Sequence, residues 1–243
     1  MDKKTCLAAA ICITGSAVVA DDAEDAFVEA NVLGIFYHEL GHAIVDIEAV
    51  PIFGQEEDAA DVFSIFLIDA LFEEESAQAL AYDAALGFWG EVIMRDGARD
   101  DVAWWDTHGP DEQRFYNTVC LFYGANPDER DGFAEDMDLP IERAETCEEE
   151  YDLAADSWGG VLDVMMTRDN GAPMEQLFDE TSFAAQILAA EIEALNTDLL
   201  FDDALGVVVE PCGEPNAFYD PNDRLVIFCT EFEDHLREMY RQL

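Results

Sequence analysis

The sequence predicts one mostly helical α+β domain, on three observations. Helical hydrophobic patterns recur from Asp22 onward, one β-rich stretch lies over residues 205–230, and no Gly/Ser- or Pro-rich linker divides the 243 residues. The first helix runs from about Asp22 to Ile47. It opens on acids, which suit a helix N-terminus, and is apolar on nearly every side by Val32, so it reads as central and buried. Ala49-Val50-Pro51-Ile52-Phe53-Gly54 breaks it, and a second helix follows from about Gln55 to Glu74 with Ala60, Phe63, Leu67, Ala70 and Leu71 on one face. Further helices are expected near 76–95, 110–123, 140–168 and 175–196. Val207-Val208-Val209 and Leu225-Val226-Ile227-Phe228 flank the turn former Asp220-Pro221-Asn222-Asp223, which reads as a C-terminal β-hairpin. An amphipathic helix with Phe232, Leu236, Met239, Tyr240 and Leu243 on one side closes the chain.

Residues 1–20 differ from the rest. Lys3 and Lys4 precede an uncharged run from Thr5 that ends Val18-Val19-Ala20, and acids begin at Asp21. That is a signal peptide cut after Ala20, too short to span a membrane, which leaves residues 21–243 as the exported domain. Ile11 fits poorly before a lipidated cysteine, so Cys12 does not suggest a lipoprotein.

The formal charge is −45, and both lysines fall in the leader. Such a surface excludes nucleic acid as a partner, because phosphate contacts need Lys and Arg clusters. It also repels itself at low salt, whereas at about 1 M salt the Debye length shrinks to ~3 Å. A halophilic, salt-adapted protein is the expectation. Disorder is the competing reading of so much charge, but half the chain is hydrophobic and 11% is aromatic. Cys6 and Cys12 leave with the leader, and Cys120, Cys147, Cys212 and Cys229 remain. Three pairings are open, and sequence neighbours, Cys120 with Cys147 and Cys212 with Cys229, are the expected one. Each would stabilise by roughly 3–4 kcal/mol in the chain-entropy model.

The first helix carries His38-Glu39-Leu40-Gly41-His42. Polar groups buried without partners cost several kcal/mol, and a bound metal resolves that cost. Positions four apart share a helix face, so both imidazoles reach one ion while Glu39 projects beside them, the zinc-peptidase pattern HExxH. A catalytic zinc takes three protein ligands and a water. Glu57 is the expected third ligand, and Asp61 the acceptor for the free ring N–H of His38 or His42. Zinc then lowers the pKa of its water toward about 7 and polarises the scissile carbonyl. Glu39 takes the water's proton and passes it to the leaving amine. His108, Tyr219 or Arg114 is to supply the donor for the oxyanion; His108 comes first, because Trp104-Trp105-Asp106-Thr107-His108 sets an imidazole beside aromatics and an orienting Asp.

Each residue has a plainer reading. His38 and His42 would be core histidines bonded to backbone carbonyls, and Gly41 a packing position. Glu57 and Asp61 would be solvated surface, as befits so acidic a chain. His108 and Tyr219 would have no catalytic part, His235 would be surface only, and the tryptophans core.

Several blocks together resemble the HExxH, gluzincin-like zinc metallopeptidase domain family of exported bacterial proteins of unknown function. They are Tyr37 to Ile44, Pro51 to Asp61, Asp106-Thr107-His108 with Gln113 to Asn117, Cys120 to Gly124, Arg143 to Cys147 and Cys212 to Pro221. The resemblance implies His38, His42 and Glu57 on one Zn2+ with Glu39 as base, and a peptide or protein substrate. In one respect the order differs. In the family the block like Cys212–Pro221 precedes the HExxH helix, and here it follows, as in a circular permutation. The rotated order implies that the closing helix lies near Asp21 and that the hairpin packs beside the metal helix, standing in for the edge strand that cradles substrates in many zinc peptidases. The alternative, from another class, is a non-catalytic exported binding or scaffold protein with a structural zinc; a metal-dependent hydrolase of a non-peptide amide is a third.

Overall fold

A helix that is apolar on all sides must be surrounded, and the chain surrounds it. The computed structural model describes residues 21–95 and 102–243, so the leader over residues 1–20 lies outside the described residues. Helix α1 (Asp21–Ile47) buries Phe27, Val32, Phe36, Tyr37, Leu40 and Ile44 completely. It ends at Ala49, whose φ of 52° is left-handed and lets Val50 N–H reach back to Val45 O at 3.0 Å. Helix α2 (Glu56–Leu71) then returns along α1. A Cβ at Gly41 would lie 3.1 Å from Ala60 Cα and 3.2 Å from the Phe63 ring, so glycine between the two histidines permits this close approach.

Around this pair stand α3 (Glu74–Met94), α4 (Asp111–Ala125), α5 (Pro127–Asp136), the single turn α6 (Ile141–Ala144), α7 (Cys147–Met166), α8 (Phe183–Leu195) and α9 (Glu231–Tyr240). Trp158 of α7 packs its ring 4.6 Å from that of Phe63. Gly124 sits against the start of α7, where a Cβ would fall 2.1 Å from Cys147 O, and beside it Cys120 and Cys147 pair with Cα atoms 5.1 Å apart. Arg130 is 2% exposed and closes a polar cluster at this end. Its Nη2 donates to Asp69 at 2.6 Å and Glu74 at 2.8 Å, and its Nη1 to Phe122 O at 2.6 Å. Tyr151 donates to the other oxygen of Asp69.

The four strands described are β1 (Met174–Gln176), β2 (Leu205–Glu210), β3 (Ala217–Asp220) and β4 (Leu225–Cys229), in the sheet order β1-β2-β4-β3. The hairpin is present, but its first strand is not the expected one. Val207 and its neighbours in β2 run parallel to β4, and β4 is inserted between β2 and β3, which pairs antiparallel with it. Two apolar strands prefer the centre of the sheet, and the shorter, more polar β3 takes the edge. Cys212, in the β2–β3 connection, pairs with Cys229 at a Cα–Cα distance of 5.4 Å.

Three helix expectations also need correction. The helix over 140–168 is divided between α6 and α7. Residues 174–176 belong to β1, and α8 starts only where Ser182 Oγ caps Ala185 N–H at 3.1 Å. α5, begun by Pro127, was not expected. The closing helix does lie near the start of the described chain: Arg237 bonds Glu24 and Asp25, Arg241 bonds Glu24, and the Phe27 and Tyr240 rings are 5.5 Å apart.

Candidate metal centre

On α1, His38 and His42 stand one turn apart with ring centroids 4.9 Å apart. The antiparallel return of α2 brings three carboxylates to them. His38 Nδ1 meets Asp61 Oδ1 and His42 Nδ1 meets Glu56 Oε1, both at 2.8 Å. An ionised carboxylate only accepts, so each Nδ1 carries the hydrogen and each Nε2 points inward. Those two Nε2 atoms lie 3.2 Å apart. Glu57 Oε2 lies 3.2 Å from His38 Nε2, 3.1 Å from His42 Nε2 and 2.9 Å from His108 Nε2. The ligand atoms of His38, Glu57 and His108 all fall within 4.8 Å of one another, and His42 joins them through its short distances to His38 and Glu57.

Inward lone pairs this close repel unless a cation or protons lie among them. Several imidazole nitrogens with one carboxylate oxygen form a donor set that suits zinc. Without a metal the cluster holds protons. Burial pulls the His38 imidazole down, and hydrogen bonds to Asp61 and Glu57 outweigh it and lift it to about 9. His42 is raised against its burial by Glu57 and Glu56. Glu57 is held far below the carboxylate range by His108, His38 and His42. Burial pushes Asp61 up, and Arg114 with His38 more than reverses it.

Glu39 differs from its neighbours. It is 7% exposed, lines the same cleft, and has no side-chain hydrogen bond among the described residues. Burial pushes its carboxyl up. His108 comes from the loop before α4, with its side chain 44% exposed and its ring stacked on His38 at 5.9 Å. Its backbone N–H donates to Asp106 Oδ1 at 3.2 Å, and its Nδ1 lies 3.6 Å from that oxygen. Tyr219, on β3, lines the cleft and donates its hydroxyl to Asp46 at 2.8 Å. Arg114 is already engaged: Nε and Nη2 donate to Asp61 at 2.8 and 2.7 Å. Its role is to fix the carboxylate that orients His38.

One partner was missed. Glu56 orients His42, and nothing in the run Glu56-Glu57-Asp58 distinguishes it before α2 is placed. Two plainer readings also change. Trp104 and Trp105 are 73% and 86% exposed, beside His108, and only Trp158 is core. His235 is half-buried and paired with Glu91 of α3 at 2.6 Å.

The cleft has a volume of about 990 Å³. It follows α1 from Asp46 and Tyr219, past the histidines, to Asn31, with β3 as one wall. The hairpin thus lies beside the metal helix, as the rotated order implied.

A family model described as "Putative metallopeptidase" matches residues 9–162 and 166–243, nearly the whole chain. The chain belongs to this family. Every motif block quoted above lies inside the matched segments of the metallopeptidase family, and so do His38, Glu39, His42, Glu57, Asp61, His108 and Tyr219. No curated protein and no solved structure matches the chain. No described helix of this family member is long and apolar enough to cross a membrane.

Proposed function

We propose that this chain is an exported, salt-adapted zinc metallopeptidase in which His38, His42 and Glu57 hold the metal and Glu39 is the general base. The observation that carries the reading is the convergence of inward imidazole nitrogens on Glu57 Oε2 beside a buried carboxylate that bonds to nothing else. When bound, zinc supplies a Lewis acid that polarises a carbonyl and acidifies water. Glu39 takes a proton from the attacking water and delivers it to the leaving amine, and its raised pKa brings it nearer to both tasks. His108 faces the same cleft and presents an N–H to the developing oxyanion, and Tyr219 presents its O–H once that hydroxyl turns from Asp46, to which it donates at 2.8 Å. The free edge of β3 offers backbone groups to an extended peptide lying along the cleft. Export is supported by the two cysteine pairs at disulfide distance.

A second reading, structural zinc in a binding protein, is favoured by one observation: His108 Nε2 approaches Glu57 as closely as the helix histidines do. A fourth protein ligand would close the site. The test is metal analysis with a peptidase assay at high salt on wild type, Glu39→Gln and His108→Ala. The peptidase reading expects Glu39→Gln to keep its zinc and lose roughly 10²–10⁴-fold in kcat. It expects His108→Ala to keep the zinc too. Loss of zinc from His108→Ala, with no hydrolysis by wild type, establishes the structural reading.

A further inference from the structure

We propose that the inner end of the cleft is a pocket for one uncharged substrate side chain with a hydrogen-bonding tip, tyrosine in preference to phenylalanine. This rests on the peptidase reading for the peptide, but the pocket is read from other residues. Gly34 and Asn31 lie four and seven residues before His38, about 6 and 10 Å along the helix axis. Both line the cleft. At Gly34 the surrounding helices present only small groups: a Cβ there would stand 3.6 Å from that of Ala84 and 4.0 Å from Ser64 Oγ.

Three polar side chains line this end, and each is more than nine-tenths buried: Asn31 at 5%, Ser64 at 6% and Thr118 at 4% exposure. Helix hydroxyls elsewhere bond back to their own helix, Ser157 to Leu153 O at 2.8 Å and Thr167 to Asp163 O at 2.6 Å. Ser64 and Thr118 do neither that nor bond any other group among the described residues, and both remain open to the cleft. The Asn31 amide nitrogen is fixed by Phe27 O at 2.8 Å and Asp83 O at 3.0 Å. That turns Oδ1 toward Gly87, where a Cβ would fall 1.8 Å away. Hydroxyls that have no protein partner and open onto a cleft are free to bond an occupant of matching chemistry in place of water.

Most charges along the cleft near this end are already matched: Arg114 is held by Asp61, Glu91 by His235 and Asp111 by Arg95. The exception is Glu39, which the peptidase reading commits to the reacting water, so a charged side chain finds no spare counter-ion there. Phe88, Ile35 and Met239 supply apolar walls. An apolar body with a neutral donor and acceptor at its end fits both walls and floor, and a phenol has that form. A site built to bond a hydroxyl rejects the analogue lacking it more strongly than an apolar site separates two sizes.

The test uses two blocked hexapeptides that differ only in one Tyr or Phe. Binding is measured by calorimetry on the zinc-loaded full chain carrying Glu39→Gln at high salt, then with Thr118→Val or Ser64→Ala added; turnover is measured on wild type. The Tyr peptide is expected to bind at least about tenfold tighter, with the ratio falling toward one in either added variant while Phe affinity holds. Equal affinities, no binding of either peptide, or a preference that survives both substitutions overturns the pocket. Hydrolysis of both peptides without preference removes the pocket and keeps the peptidase. A Tyr preference in binding, with no hydrolysis by wild type, does the reverse.

Discussion

At the C-terminal end of α2, Asp69 meets Arg130; near its N-terminal end, Glu57 and Asp61 meet the imidazoles. Both clusters seat carboxylates of α2, one beside α3, α5 and α7 and the other beside α1, and they are completed differently. Arg130 lies at the centre of its group and bonds Asp69, Glu74 and a backbone carbonyl, so the chain itself supplies the cation. At the other end Arg114 stands in the outer row on Asp61, and Glu57 faces nitrogen lone pairs. An arginine at the centre makes a cluster finished by folding alone. Withholding it leaves a place for a cation that arrives later.

The largest test of that contrast removes the inner arginine. Arg130→Leu leaves Asp69 and Glu74 without their partner and is expected to cost about 3–5 kcal/mol in urea unfolding at high salt. Zinc at a hundred times its Kd is expected to add about 2.7 kcal/mol to wild type, visible as a rise in Tm. On the zinc reading, Glu57→Ala should abolish that increment and Arg130→Leu should keep it, because Arg130 already supplies the cation of the other cluster. Glu56→Gln, which disturbs only the group orienting His42, is expected to weaken zinc binding roughly ten- to a hundredfold in a competition titration. The smallest effect is the acid response of the closed cluster. The Arg130 hydrogen bond holds the Glu74 carboxyl down at about 2 against an ordinary 4.5. The folded value is the lower one, so this stabilisation is present above pH 4.5 and is lost as pH falls toward 2. Arg130→Leu should remove that part of the acid dependence in a pH series of unfolding curves. The part is small, because the Glu74 side chain is 35% exposed.

Much of the site was legible because its residues are local. HExxH obeys helix spacing, and Glu57 and Asp61 follow one turn of chain later on the next helix, so sequence distance stood in for spatial distance. Glu56 was hidden by composition: in a chain with 56 acids one more acid carries no signal. The bond of Arg114 to Asp61 could not be read in the sequence, because it spans 53 residues and depends on how α4 meets α2. The sheet misled for a related reason. Val207 to Val209 and Leu225 to Phe228 are the two best strand sequences, and strength of pattern carries no information on strand direction. They are neighbours, but parallel, and Ala217–Asp220 showed too little β character to be noticed as the partner that makes the turn. Cys120–Cys147 and Cys212–Cys229 were readable because short separations favour neighbours, and both pairs lie at disulfide distance.

The flank that completes the cleft comes from the far end of the chain. Tyr219 reaches Asp46 across 173 residues, and Arg237 reaches Glu24 across 213. During synthesis α1 is made first of the described elements, and β3, β4 and α9 are made last. A nascent chain therefore carries its histidines long before it has a wall to hold anything against them. The cleft gains its β3 wall only once Ala217–Asp220 has been made, late among the described elements, so whatever the cleft holds has to wait for that strand.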